Sequence, residues 1–320
     1  YKDSTRRSVS NLLKNQTADT VAESSELFQE AQKKKLDEKK DTFIISWAQN
    51  ATPIHKNFMK NLKAYANDLD AGLHIIAGRY SNPTSVFADK DQDWWSPEVV
   101  PYLDAARHNI HPLLQVLSDI KIPPTAATPL TGLNSVTGLE SCIVGHPRQQ
   151  VKSLPILDGY PSKLLLSTGA VTVSNYTDSK SGKKGEFHHS IGFTIVELDG
   201  DIFHIRQVSA DDKGNFYDLF KRVKNGKVLD NVEGAEVAVL GDIHIAHNDK
   251  RATDVSFKLL DEMKPKHTML HDIIDCESIS HHEENDPFRV MQKEENGTGD
   301  LKKELEIMLE WVKDRLKYNL

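Results

Sequence analysis

The chain has 320 residues, 38% of them apolar and 27% charged, with a formal net charge of −7. That length can bury a sizeable core and as a prior accommodates about two domains. No apolar run is long enough to span a bilayer, and the acidic balance argues against a generally basic nucleic-acid-binding surface while leaving room for a local basic groove. The first thirty residues are polar and lack the apolar region of a signal peptide. The chain opens on Tyr1 rather than Met, so a missing true N-terminus is expected. Two cysteines, Cys142 and Cys276, are too few and too far apart for a disulfide framework, and neither has zinc-site spacing. A reducing cytoplasm is the expected compartment. The 14 histidines and 47 acids supply many more imidazole and carboxylate ligands than thiols.

Residues 1–41 are polar and lysine-rich and read as a solvated helical arm. Residues 42–234 read as an N-terminal α/β domain. Its first strand is the apolar run Thr42 to Trp47. A helical face follows with Phe58, Leu62, Tyr65 and Leu69 at three- and four-residue steps, and Pro53 suits its first turn. Gly72 to Gly78 reads as the next strand, and strand, helix, strand at this spacing predicts a parallel α/β unit. No glycine-rich phosphate fingerprint follows the first strand, so no dinucleotide site is expected. Residues 81–162 hold short apolar runs such as Leu113 to Ile120, interrupted by Pro123, Pro124 and Pro129. Gly145-His146-Pro147-Arg148 reads as a plain turn in preference to a catalytic one.

Residues 163–208 form the β-rich part. Lys163 to Leu166 begins a strand. Gly192 to Leu198 and Ile202 to Val208 read as a hairpin around Asp199-Gly200, a strong turn signal. Between them, Asp178 to Phe187 carries Lys180, Lys183, Lys184 and two glycines and reads as a mobile loop. A phosphate contact is its minority reading, and His188 and His189 are expected to be solvated.

From residue 235 the pattern changes. Glu236 to Leu240 is a short β-run that ends in Gly241-Asp242-Ile243-His244. A helix follows, with Ala252, Val255, Leu259, Leu260 and Met263 on one face, and Pro265 ends it. A second β-run, Thr268 to Leu270, leads into His271-Asp272-Ile273-Ile274-Asp275. Two parallel strands thus deliver acidic residues at their C-terminal ends, the edge where open α/β sheets bind ligands. Asp242 and His244 stand two apart and can turn toward one metal. Asp272 on the neighbouring strand can bridge two ions, and metals roughly 3.5–4 Å apart can activate a water and clamp a phosphoryl group. Mixed carboxylate and imidazole ligands suit Mn²⁺, Fe²⁺ or Zn²⁺ better than Ca²⁺.

Strand–Gly-Asp-x-His, helix, strand–x-Asp-x-x-Asp resembles the first two motifs of the calcineurin-like metallophosphoesterases. The resemblance implies an α/β fold in which residues 235–320 begin a metallophosphoesterase sandwich. It also implies that Asp242 and His244 bind a first metal, that Asp272 bridges two, and that Asp275 supports them from behind. Two positions depart from the family pattern: Ala246 and His271 stand where glycines are usual. His271 either contacts metal or substrate or only packs. The family's third motif would follow one more helix and strand. Leu301, Leu305, Met308, Leu309, Val312 and Leu316 form a helix face, after which the chain stops at Leu320, so a truncated domain is expected.

His281 and His282, in the loop after the second motif, are candidates to protonate a leaving oxygen or to hold a phosphate. They join Asp275 as candidate catalytic residues. The layout also resembles, as a weaker match, the DNA-degrading proteins of T-five-type coliphages. The expectation is then a divalent-metal phosphodiesterase acting on DNA, with two ions, Mn²⁺ first and Fe²⁺, Zn²⁺ or Mg²⁺ as alternatives. Its location would be the cytoplasm (the host's, for a phage protein), with no membrane and with the N-terminal domain able to build a homo-oligomer. A small-substrate phosphatase or phosphodiesterase and a non-catalytic nucleic-acid-binding module with a relict metal pocket are the other readings.

Overall fold

The computed structural model describes residues 29–36, 39–79, 94–157, 159–230, 235–280 and 285–320. The chain divides into two compact units, Tyr1–Asp230 and Asn231–Leu320. Both are α/β in composition, as expected from the alternation of β-runs and helical faces.

The first unit is built on β1 (Thr42–Gln49), α1 (Lys56–Asp68) and β2 (Gly72–Gly78). β1 and β2 pair in parallel, with Ile44 opposite Leu73 and Ser46 opposite Ile75. β1 is buried along almost its whole length, as a strand covered on both faces must be. Its side chains separate with a period of two. Ile44 and Ala48 join Phe58, Leu62 and Tyr65 of α1 in one core, while Phe43, Ile45 and Trp47 face a second core on the opposite side. Helix α1 begins later than Pro53, with His55 capping it by accepting the Phe58 N–H. Leu69 ends it as the C-cap rather than lying inside it.

The segment after β2 that the proline-broken pattern left unread contributes several short strands. These are β3 (Leu103–Asp104), β4 (Arg107–His111), β5 (Leu114–Leu117), β6 (Ser141–Val144) and β7 (Val151–Leu154); β8 (Lys163–Ser167) follows where the run from Lys163 predicts a strand. Among the described residues, β4 to β8 make a five-stranded sheet in the order β4-β5-β6-β8-β7. Ile110, Leu114, Val116 and Ile143 from this sheet close the second core against Trp47 and Ile76.

Helix α2 (Lys180–His188) follows where a loop is expected from Asp178 to Phe187. The hairpin arrives as expected, as β9 (Gly192–Asp199) and β10 (Ile202–Ser209), paired antiparallel around Gly200 at φ 59°. The first sheet is completed in the order β10-β9-β1-β2-β3. The small strands β11 (Phe216–Asp218), β12 (Lys221–Lys224) and β13 (Lys227–Leu229) form a separate antiparallel sheet.

Two buried polar knots tie these layers together. Asp104, with no exposed surface, lies between His74 Nδ1 at 3.1 Å and His108 Nε2 at 2.7 Å. Burial alone would raise its carboxyl, but hydrogen bonds from His108, His74 and the Ala106 N–H outweigh that and hold it at about 2. Elsewhere, Tyr65 Oη donates to Asp218 at 2.6 Å while Arg206 forks onto both Asp218 oxygens at 2.6 and 2.8 Å.

The second unit contains β14 (Val237–Leu240), α3 (Lys250–Met263), β15 (His267–Leu270), α4 (Pro287–Asn296) and α5 (Leu301–Lys313). β14 and β15 pair in parallel, Leu240 opposite Leu270. Phe257 and Leu260 of α3 are buried. Arg315 stacks over Trp311 at 3.8 Å and over Phe257 at 4.9 Å. The other face of the strand pair leaves Val237, Val239 and Met269 exposed. No helix among the described residues is long and apolar enough to cross a membrane.

Candidate metal centre

The site grows out of the C-terminal ends of β14 and β15. Past the last paired residues, the two loops keep running side by side. His271 N donates to Leu240 O at 2.9 Å, His244 N to Asp272 O at 2.9 Å, and Ile245 N to Ile273 O at 2.9 Å. This ladder holds Asp242 and His244 against Asp272. The backbone is strained there: φ is 53° at Asp242, 42° at His244 and 47° at Asp272. Left-handed conformations cost a non-glycine residue about 1 kcal/mol or more, and they cluster at functional sites. Asp and His are among the residues that tolerate them best. All three residues expected to bind metal therefore share one unusual conformation, which the sequence pattern does not reveal.

The structure brings together a slightly different trio from the expected one. Asp242, His271 and Asp272 each offer a ligand atom, and these atoms lie within 4.8 Å of one another. His271 Nδ1 is 3.0 Å from Asp272 Oδ2 and 3.9 Å from Asp242 Oδ1. His244 turns away instead, with Nδ1 2.6 Å from Asp275 Oδ1. That contact is close but too bent to count as a hydrogen bond, so the buried His244 Nδ1 has no hydrogen-bond partner. The expectation that Asp242 and His244 face one metal together is thus not met in this arrangement. His271 takes the imidazole position, and Asp275 is held against His244 rather than standing behind the cluster. A signal for His271 was present in the sequence, a bulky ring where glycine is usual, but its direction was not.

The donor set still suits a divalent ion. Two carboxylates and an imidazole are the mixed oxygen and nitrogen ligands that Mn²⁺, Fe²⁺ and Zn²⁺ accept. The group is open to solvent, with 78% of the Asp242 side chain and 51% of that of Asp272 exposed. Beside it, a groove of about 300 Å³ is lined by Leu240, Asp242, Asn248, Thr253, Ser256 and Phe257. Asp249 caps α3 at the rim by accepting the Arg251 and Ala252 N–H groups. A second imidazole–carboxylate pair, His247 Nε2 to Glu277 Oε1 at 2.6 Å, lies on the same loops, and Glu277 raises the His247 imidazole above its usual value. His281 and His282 lie outside the described residues.

In the first unit, His146 and His189 are structural. His146 is buried, with Nε2 donating to Pro123 O at 3.1 Å and Nδ1 accepting from Arg148 N at 2.9 Å; burial lowers it to about 4. His189 is not solvated as expected. It accepts from Tyr176 Oη at 2.9 Å and donates to Thr172 O at 2.8 Å, and burial lowers it to about 4.

Fold and site together define an α/β protein with a carboxylate–imidazole cluster at the ends of two parallel strands. Among known proteins, the chain is 30% identical over 259 residues to Protein A1 of Escherichia phage T5, a match covering 75% of this chain and 46% of that relative. The chain thus spans about half the length of the curated relative it matches. No family model matches. A structure of Vps29 from Chaetomium thermophilum overlaps with a TM-score of 0.31 at 10% identity, covering 56% of this chain and 94% of that one. A second, of Vps29 from the same organism with a cyclic peptide, gives 0.29 at 12% identity over the same shares. Overlaps of that size say nothing about the fold of this chain.

Proposed function

We propose that this chain carries part of the active centre of a divalent-metal-dependent phosphodiesterase acting on DNA. The observation that supports it is the Asp242–His271–Asp272 cluster at strained, parallel strand ends. A metal there would supply a hydroxide at neutral pH and neutralise charge building on the phosphoryl oxygens. Asp242 and Asp272 would hold the ion or ions, Mn²⁺ being the first expectation and two ions the expected number. His271 completes one ligand set as it stands, and a rotation of His244 off Asp275 completes the expected one. In the arrangement where His271 is the ligand, Asp275 holds the His244 ring aside through their 2.6 Å contact, and in the expected one it supports the site from behind the ligating residues. His281 and His282 remain the candidates for protonating the leaving oxygen. DNA as substrate follows from the layout's resemblance to phage DNA-degrading proteins, and the similarity to Protein A1 of a phage supports the same direction. Homo-oligomerisation through the first unit is part of the proposal.

One observation favours a second reading. The groove beside Asp242, polar at Asn248, Thr253 and Ser256 and apolar at Phe257, has the size to take a small organic phosphoester. Plasmid DNA and a chromogenic phosphodiester, each incubated with the natural polypeptide in Mn²⁺ or in EDTA, separate the two. Metal-dependent nicking of plasmid that Asp272→Asn abolishes supports the nuclease. Cleavage of the small diester alone transfers the proposal to small substrates. Intact substrates in every arm would sink both and leave a non-catalytic module.

A further inference from the structure

Helix α2 carries a cluster of positive charge that the proposed site does not use. Its sequence, Lys180-Ser-Gly-Lys-Lys-Gly-Glu-Phe-His188, contains two glycines, each costing a helix about 1 kcal/mol relative to Ala. Both are required by contact. A Cβ on Gly182 would stand 2.0 Å from Thr177 O, and one on Gly185 would stand 2.8 Å from the Tyr176 ring. The glycine face is therefore pressed flush onto residues 176–177, and Ser179 caps the helix by accepting the Gly182 N–H at 3.0 Å. This seating fixes which residues point out. Lys180, Lys184 and Phe187 follow at four- and three-residue steps on the outer side, all exposed, and Phe187 is 84% exposed.

Most of the positive charges there are uncompensated. Lys183 is paired with Asp178 at 2.9 Å and Glu186 at 3.3 Å. Among the described residues, Lys180, Lys184 and Arg148 have no acidic partner within ion-pair distance. Arg148 lies beside the end of the helix, where Ser190 N donates to Pro147 O at 2.9 Å, and burial, then the Arg148 and Lys184 charges, lower the His188 imidazole. A chain of net charge −7 thus concentrates unpaired cations around one protruding aromatic ring.

We infer that this face binds single-stranded nucleic acid, with Lys180, Lys184 and Arg148 on phosphates and Phe187 stacked on a base. The chemistry separates this partner from others. Unpaired cations fit any polyanion, but an exposed ring beside them, contacted edge-on by His188 at 4.9 Å, fits an unstacked base, the combination that sequence-tolerant single-strand binding uses. A lipid surface asks for a wider apolar stripe, and Phe187 is the one large apolar side chain on this helix. The inference shares the nucleic-acid substrate with the proposed function but needs neither metal nor cleavage.

Its test is fluorescence anisotropy of a labelled oligothymidylate against the natural polypeptide in EDTA. The variants are Lys180→Ala/Lys184→Ala, Arg148→Ala, Phe187→Ala and, alongside, Asp272→Asn. Lys180→Ala/Lys184→Ala is expected to weaken binding at least tenfold at low salt and to make the log–log salt slope shallower by about 1.4, at roughly 0.7 per lost phosphate contact. Arg148→Ala should weaken it less, with a slope change of about 0.7. Phe187→Ala should weaken it about fivefold or more without changing the slope. Asp272→Asn, read for plasmid nicking in Mn²⁺, separates the two: undiminished cleavage by that variant overturns the active-centre reading and spares this one. Unchanged anisotropy in the lysine and phenylalanine variants overturns the inference. So does competition by phosphatidylserine vesicles as effective as that by unlabelled oligonucleotide. Matched circular dichroism and melting curves show that the exposed substitutions leave the fold intact.

Discussion

Replacing Asp272 by Asn tests whether the strand-end cluster is a metal site. The substitution keeps shape and removes one negative charge from a set containing two carboxylates. Asn is the right probe because φ at position 272 is 47°, which Asn tolerates and Ala tolerates poorly. The magnitude follows from exposure. With half the side chain open to solvent, a divalent ion about 2.1 Å from the carboxylate is attracted by about 4 kcal/mol at the dielectric constant of water. The amide oxygen or a water recovers part of this, leaving a loss of about 2–3 kcal/mol, or roughly 30- to 150-fold in affinity. Calorimetric titration of Mn²⁺ into wild type and variant measures it, with melting curves without metal as the control for folding. A variant that binds Mn²⁺ within threefold of wild type, at equal apo stability, would refute Asp272 as a ligand. Asp242→Asn should show a loss of the same size, since its carboxylate stands in the same cluster.

The first unit offers three further tests. Asp104→Asn removes the carboxylate that joins His74 and His108 and should lower stability by about 2 kcal/mol at pH 7, read by urea unfolding. Because the folded carboxyl is held at about 2 against an ordinary value of 3.8, that contribution is present above about pH 4 and is lost as pH falls toward 2. A variant whose acid unfolding tracks wild type would contradict it. Gly182→Ala forces a methyl group against the Thr177 carbonyl, so despite the better helix propensity of Ala it should destabilise by about 1–3 kcal/mol in thermal melts. A neutral or stabilising result would mean that α2 is not seated as described. Arg206→Met leaves the nearly buried Asp218 with Tyr65 and without its guanidinium, and should cost about 3 kcal/mol in urea unfolding. Adding Asp218→Asn should recover part of that loss, and no recovery would count against the ion pair as its origin.

Much of the parallel α/β frame was legible because its elements carry strong local patterns. Thr42 to Trp47 is continuously apolar enough to be read as a covered strand, and Asp199-Gly200 announces its own hairpin. The second sheet was not legible. Its strands are short, and β5 and β6 pair in parallel although Leu117 and Ser141 are separated by a proline-rich stretch. Such pairing leaves no local periodicity to read. The segment Asp178 to Phe187 misleads for a related reason. Two glycines lower helix propensity, and what rewards them is close approach to Thr177 and Tyr176, a contact invisible in sequence order.

The candidate centre divides in the same way. Sequence by itself determined that acids and histidines follow two β-runs about thirty residues apart, because a strand that ends in Gly-Asp or His-Asp must deliver those groups at the sheet's edge. Only tertiary structure decided which imidazole joins the carboxylates. The backbone turns left-handed at Asp242, His244 and Asp272, sending His244 to Asp275 and leaving His271 beside Asp242 and Asp272. Side-chain direction follows φ and ψ, and those were set by the hydrogen-bonded run of two loops rather than by the spacing of residues along the chain.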